Sequence, residues 1–346
     1  MSVSPLNRRR WATFRANRRG YYSSLIFISL FTVTLFAEFI ANDRPLIIRY
    51  DETFYFPSFF TYAETDFGGE FEVEADYRDN FVQRLINDRG GWMLWPPIRF
   101  NHNTIDYGLP GPAPYPPSAE HWLGTDNYGK DVLASLLYGT RLSFLFALTL
   151  TFLSSIIGIV IGGVQGYFGG KVDLAGQRLI EIWSGLPILF ILIILASMVE
   201  SNVFWLLGIL TAFSWMSLVG VVRVEFLRTR NFQYVMAARS LGAGDLQIMT
   251  RHVLPNALVA TLTFLPFILT GSITLLTSLD FLGFGLPSDS PSLGRLLAQG
   301  RTNTYAPWLG LTTVATLTVM LTLLIFAGEA ARDAFDSRRN LGGQHH

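Results

Sequence analysis

Cysteine is absent from all 346 residues, so neither a disulfide framework nor a thiolate metal site can form, and whatever orders an external segment is side-chain packing. Histidine is scarce: there are five, two of them at the tail (His345 and His346), and no H-E-x-x-H run occurs. A membrane enzyme needs a convergent polar constellation, and a proton-coupled carrier needs ionisable groups inside its spans. Neither pattern is present. A nucleotide site is missing too. Residues 166–172 end in Gly170-Lys171, but Gln165 stands where a phosphate loop needs glycine and Val172 replaces its Ser or Thr. No cofactor, catalytic residue or metal ligand is therefore expected on this chain. No repeat of fixed period is visible, so a two-fold partner would be another chain.

Charge is also sparse at 15%, while half of the residues are hydrophobic, with 28 Phe and 8 Trp. A soluble fold of this length would struggle to keep that balance off its surface. Apolar runs that can cross a hydrocarbon core of about 30 Å, roughly 20 helical residues each, lie near 22–41, 142–163, 179–199, 203–222, 257–279 and 308–327. The expected fold is an all-α polytopic membrane protein with six transmembrane helices. Glu181 and Pro187 interrupt the third run, and a proline near the start of a span is tolerable. Arg8, Arg9, Arg10, Arg15, Arg18 and Arg19 precede the first run without any acid, which keeps the N-terminus cytoplasmic. Arg332, Arg338 and Arg339 put the C-terminus on the same side, and five arginines do so for the 223–255 loop. The first run is longer than the 7–15 residues of an export signal, and Phe39 occupies the small-residue position before Ala41, so it reads as an anchor.

This pattern divides the chain into 1–41 (cytoplasmic start and first span), 42–138 (an extracytoplasmic insert), 139–330 (a five-helix core with cytoplasmic loop 223–256) and 331–346 (a cytoplasmic tail). The insert has nine of the sixteen prolines and 7 Lys plus Arg against 15 Asp plus Glu, a net charge of −8. Proline fixes its own backbone angle and discourages helix before it, so short strands and loops are expected there. His102 and His121 read as isolated structural residues, and Glu38 and Asp280 as solvated helix ends. Gly158, Gly162, Gly166 and Gly170 recur every fourth residue, a stripe that allows close helix approach without naming the neighbour.

The segment 234–256, YVMAARSLGAGDLQIMTRHVLPN, reads as two short helices hinged by glycine between two apolar runs. Tyr234, Ala237, Ala238 and Leu241 share one narrow face by helical spacing, and Gly242 is expected to end the helix in a left-handed conformation. Ala237-Ala238-x-x-x-Gly242, nine residues, then His252-x-Leu254-Pro255 resembles the cytoplasmic signature of permeases of ATP-binding cassette importers. Met236 stands where that signature usually opens with glutamate, and His252 where isoleucine is common. Arg251-His252-x-Leu254-Pro255-Asn256 is similar to the dipeptide and oligopeptide permease variant. Leu123-Gly124-Thr125-Asp126 with Gly129, Asp131-Val132 and Gly139-x-Arg141 resembles the lead into that family's second span. Gly328-Glu329-Ala330-x-Arg332-Asp333-Ala334-Phe335-Asp336 resembles its C-terminal end, and the long insert looks like that of its Yej-type branch.

The resemblance implies a type I importer permease for oligopeptides, with dipeptides or nickel as the alternatives within the family. It implies a homologous permease as heterodimer partner, a cytoplasmic ATPase carrying ATP and Mg, and an extracytoplasmic peptide-binding protein. Membrane lipid surrounds such a chain, and nucleic acid is not an expected partner. The residues it assigns to ATPase coupling are Tyr234, Ala237, Ala238, Arg239, Leu241, Gly242, Leu254 and Pro255.

Overall fold

The computed structural model describes residues 5–198 and 202–335. Residue 199 of the third apolar run, the final Asp336 of the C-terminal match, Arg338, Arg339, His345 and His346 lie outside the described residues. In chain order the elements begin with α1 (Pro5–Ala16), α2 (Arg18–Leu35) and α3 (Ala37–Ile40). Next come β1 (Ile47–Tyr50), β2 (Thr53–Tyr55), α4 (Asn80–Asp88), β3 (Trp92–Leu94) and the long α5 (Val132–Phe168). Helices α6 (Gly170–Ser184), α7 (Ile188–Met198), α8 (Val203–Ser214), α9 (Met216–Thr229), α10 (Gln233–Ser240) and α11 (Asp245–Gln247) follow. A π-helix (Ile248–Val253) leads into α12 (Leu254–Leu262), α13 (Leu265–Leu282), α14 (Leu293–Thr302) and α15 (Pro307–Phe335).

Among the described residues four helices are long and apolar enough to cross a membrane: Val132–Phe168, Val203–Thr229, Leu265–Leu282 and Pro307–Phe335. A fifth span is added if the pair Gly170–Ser184 and Ile188–Leu195, bent by 63°, counts as one. The bend falls at Gly185-Leu186-Pro187, where proline disfavours helix in the residue before it and has no N–H to donate. The first apolar run is divided between α2, which opens on Arg18 and Arg19, and α3, with a break at Phe36. The run at 257–279 is broken at Thr263-Phe264, just before Pro266 in the first turn of α13.

The chain forms two compact units. One comprises 1–28, 143–287 and 318–346. Here the glycine stripe has a definite neighbour: a Cβ placed on Gly158 would sit 2.7 Å from Trp215 O, one on Gly162 2.7 Å from Val219 O, and one on Gly166 2.5 Å from Arg223 O. Steps of four on α5 thus meet steps of four along the chain from Trp215 through α9, so these three glycines serve intramolecular packing, whereas a Cβ on Gly170, at the start of α6, would meet nothing within 4 Å. Asp280 is corrected as well. It is 6% exposed, and its carboxylate accepts the Leu286 N–H at 2.6 Å, so it latches the turn beyond α13 instead of ending a helix in solvent.

The other unit comprises 29–142 and 288–317. Its antiparallel sheet, ordered β2-β1-β3, pairs Ile48 with Tyr55 and with Met93. Strand alternation sends Ile48 and Tyr50 inward to Phe67, Ala75, Tyr77, Val82 and Ile86, while Arg49 stays exposed. These aromatic and aliphatic contacts order the insert without any disulfide. Glu38 is not a free solvated end: Arg141 Nη1 donates to both of its carboxylate oxygens, at 2.8 and 2.9 Å.

Candidate functional site

The docking segment is built on a buried apolar floor. Val235 of α10, Ile248 and Val253 of the π-helix and Ala257 of α12 pack with Tyr167, Leu218, Val222 and Phe226. Along α10 only Val235 is fully buried, so the short helix presents most of its surface outward. Ala237 is exposed, Ala238 is half-buried, and Leu241 is 89% exposed. Gly242 has φ +86°. Its N–H donates to Arg239 O at 3.0 Å and the Ala243 N–H to Ala238 O at 3.1 Å, a paired helix ending that needs the left-handed conformation glycine adopts without a Cβ penalty.

The second half of the signature returns to the first. The Tyr234 hydroxyl donates to His252 O at 3.3 Å and accepts from Asn256 Nδ2 at 2.7 Å. Leu254 is half-buried against the apolar floor, and Pro255 lies exposed in the first turn of α12, directly after the π-helix. All eight residues singled out by sequence therefore lie on one continuous segment, with Leu254 contributing to its base. Sequence reasoning missed Met236 and Leu246 as surface features. They are 51% and 75% exposed, so with Leu241 the segment offers three large apolar side chains to the outside.

It also missed a polar clamp. Arg239 Nη2 donates to the Tyr167 hydroxyl at 2.9 Å, and that hydroxyl donates to Asp245 Oδ1 at 2.6 Å. Arg230 Nη1 donates to Tyr167 O at 3.0 Å, at the carboxyl end of α5, where a cation also complements the helix dipole. Arg230, Arg239 and Asp245 precede, end and follow the α10 helix, and all three meet the last turn of α5. No spacing rule could reveal this, because Tyr167 is more than sixty residues away.

A second polar cluster lies in the other unit, and it corrects the reading of His121 as isolated. His121 is 1% exposed, with Nδ1 2.9 Å from Asp131 and Nε2 3.1 Å from Asp106. Burial pulls its pKa down, but hydrogen bonds and charge from the two carboxylates outweigh it and hold the imidazole above its ordinary value. Burial pushes Asp106 up, yet the Gly108 N–H, His121 and Arg78 hold it below its usual range. Asp131 also caps α5 by accepting the Ala134 N–H at 2.8 Å. Asp126 accepts from the Tyr128 and Lys130 N–H groups, at 2.8 and 2.9 Å. The acids of this matched segment are thus occupied in turns and a cap. Among the described residues no group of three or more His, Cys, Asp or Glu could hold a metal ion.

Residues 137–341 match the family described as the inner membrane component of binding-protein-dependent transport systems. The chain is similar to the inner membrane ABC transporter permease protein YejE of Escherichia coli (strain K12), with 59% identity covering 97% of this chain and 98% of that one. It is 52% identical to the peptidoglycan transport system permease protein YejE of Agrobacterium fabrum, covering 97% and 94%. The oligopeptide transport system permease protein OppC of Lactococcus lactis subsp. cremoris is 32% identical, over 68% of this chain and 82% of its own.

Proposed function

Because this chain belongs to the inner-membrane permease components of binding-protein-dependent ABC transporters, we propose that segment 234–256 is where a cytoplasmic ATPase grips it and that oligopeptides are its cargo. A permease of this family does no chemistry of its own, and ATP hydrolysis belongs to separate ATPase subunits. The observation that carries the coupling role is the outward-facing α10 helix, with Leu241 exposed at its end, standing on a buried floor and clamped to the last turn of α5. A partner that pushes on such an element moves the helices behind it as a body.

In this reading Tyr234, Ala237, Ala238, Arg239, Leu241, Gly242, Leu254 and Pro255 form the coupling set, and ATP and Mg reside on the ATPase. Six spans place both termini and the 223–256 loop in the cytoplasm and the 42–138 insert outside, where it meets the binding protein or a homologous permease. Segments 139–330 and 331–346 are then the helical core and the cytoplasmic tail. The oligopeptide cargo rests on the name of the Lactococcus lactis relative.

The lack of native cysteine makes the test clean. A Leu241→Cys chain in the assembled complex should crosslink to the ATPase and to no other subunit. Crosslinking confined to another subunit would refute the coupling assignment. Ligands released from the cognate binding protein should be oligopeptides, and recovery of peptidoglycan fragments or nickel alone would overturn the cargo.

A further inference from the structure

Two cavities in the unit containing α1 meet end to end. The first, about 640 Å³, is a trough walled by Trp11, Tyr21, Leu25, Phe152, Leu269 and Leu324. The second, about 360 Å³, shares Trp11, Phe14 and Ala331 with it and adds Asn7, Arg10 and Phe335. The two share a wall, and the second brings the Arg10 and Asn7 side chains to one end of a largely apolar groove.

Arg10 at that end lies 4.8 Å from the centroid of Phe335, and Arg15, which lines neither cavity, lies 5.4 Å from that of Trp11 and 5.7 Å from that of Tyr21. The first 37 residues contain no acid, and among the described residues neither Arg10 nor Arg15 has a carboxylate partner. Trp11 and Tyr21 are the side chains that settle at the level of lipid headgroups. An apolar trough that ends beside Arg10 at that depth complements an amphiphile with a negatively charged head.

We propose that this groove is a binding site for one anionic phospholipid, with an acyl chain along the Leu25, Phe152 and Leu269 walls and the phosphate against Arg10, beside Asn7. It rests on the membrane placement of α2 and not on the peptide cargo or on which side the N-terminus faces. The bound lipid ties α1 to the ends of α2 and α15.

The test uses the purified, delipidated complex titrated with phosphatidylglycerol or phosphatidylcholine and followed by native mass spectrometry. Phosphatidylglycerol should occupy one tight site on this chain. Arg10→Gln should weaken it by about fivefold, the contribution of one basic residue near an anionic membrane surface. Arg18→Gln removes the same charge from a residue that lines neither cavity and should leave the site intact. Equal binding of the two lipids, or equal losses in the two variants, would overturn the proposal. So would a photocrosslinker at Leu25 that captures a second permease instead of lipid. Binding is read in detergent and without transport, so failure here is separable from failure of the permease reading.

Discussion

Replacing Gly242 separates backbone geometry from side-chain contact at the docking segment. A Cβ at this position would meet no heavy atom within 4 Å, so a clash contributes nothing and the whole cost is the left-handed backbone at φ +86°. For a residue with a Cβ that cost is about 1–2 kcal/mol, and β-branching in valine moves it to about 2 kcal/mol or more. Asparagine, which visits this region readily, should be close to neutral. At about 1.4 kcal/mol per decade, 2 kcal/mol lowers the equilibrium constant for closing the turn by about thirtyfold. The two hydrogen bonds from Gly242 and Ala243 open, and α10 loses its fixed end. In the reconstituted complex, Gly242→Val should leave assembly unchanged, as judged by size and subunit ratio, while peptide-stimulated ATP hydrolysis and uptake collapse. Gly242→Ala should be intermediate and Gly242→Asn near normal. If Gly242→Val complexes transported at full rate, the segment would not be the coupling element. If asparagine and valine failed equally, a side-chain contact and not backbone strain would be responsible.

Leu241→Ala should leave the melting temperature of the isolated subunit unchanged, because the side chain is exposed, yet weaken ATPase association by about 1.5–3 kcal/mol, the worth of burying one leucine; an unchanged affinity would remove Leu241 from the interface. Tyr167→Phe deletes the hydroxyl joining Arg239 to Asp245 and should cost about 1–3 kcal/mol in thermal unfolding and increase hydrogen exchange in α10; unaltered exchange would show that the clamp does not hold the helix. Stability of the insert should follow pH with a defined sign. The raised His121 contributes fully below its ordinary value of 6.5 and loses that contribution as pH rises through its folded value. The lowered Asp106 contributes above its ordinary value of 3.8 and loses that contribution as pH falls through its folded value. Thermal unfolding should therefore show a plateau between these values, and His121→Asn should remove the alkaline decline; a decline that survived the substitution would assign it to another group.

The apolar runs at 142–163 and 308–327 were legible because each lies within one unbroken helix, and hydropathy averages well over such a length. The same averaging hides interruptions of two or three residues, which is why the bend before Pro187 and the break before Pro266 do not alter the runs that contain them. Gly242 was legible because a left-handed helix end leaves a local signature. His121 and its carboxylates were not, since Asp106 and Asp131 lie fifteen residues before it and ten after it, and only the folded insert brings them together. The glycine stripe announced close approach but not to what, because small residues impose the same spacing on an internal neighbour and on a foreign one. Nor could sequence show that Asp280 is buried and bonded to the Leu286 N–H, because every non-proline residue carries such a donor.

The π-helix Ile248–Val253 gives this chain two kinds of tolerance to a change in length. A π turn holds one residue more than the α ladder requires, so deleting one residue there lets the flanking α11 and α12 segments join in a continuous α register. The same deletion in α5 has the opposite effect. Each residue advances an α-helix by about 100°, so losing one between Gly158 and Gly162 would turn Gly162 and Gly166 away from Val219 and Arg223 and bring side chains with Cβ atoms into their places. Length variation among related chains should therefore collect in the π segment and be purged from the stripe, whatever residues occupy either place.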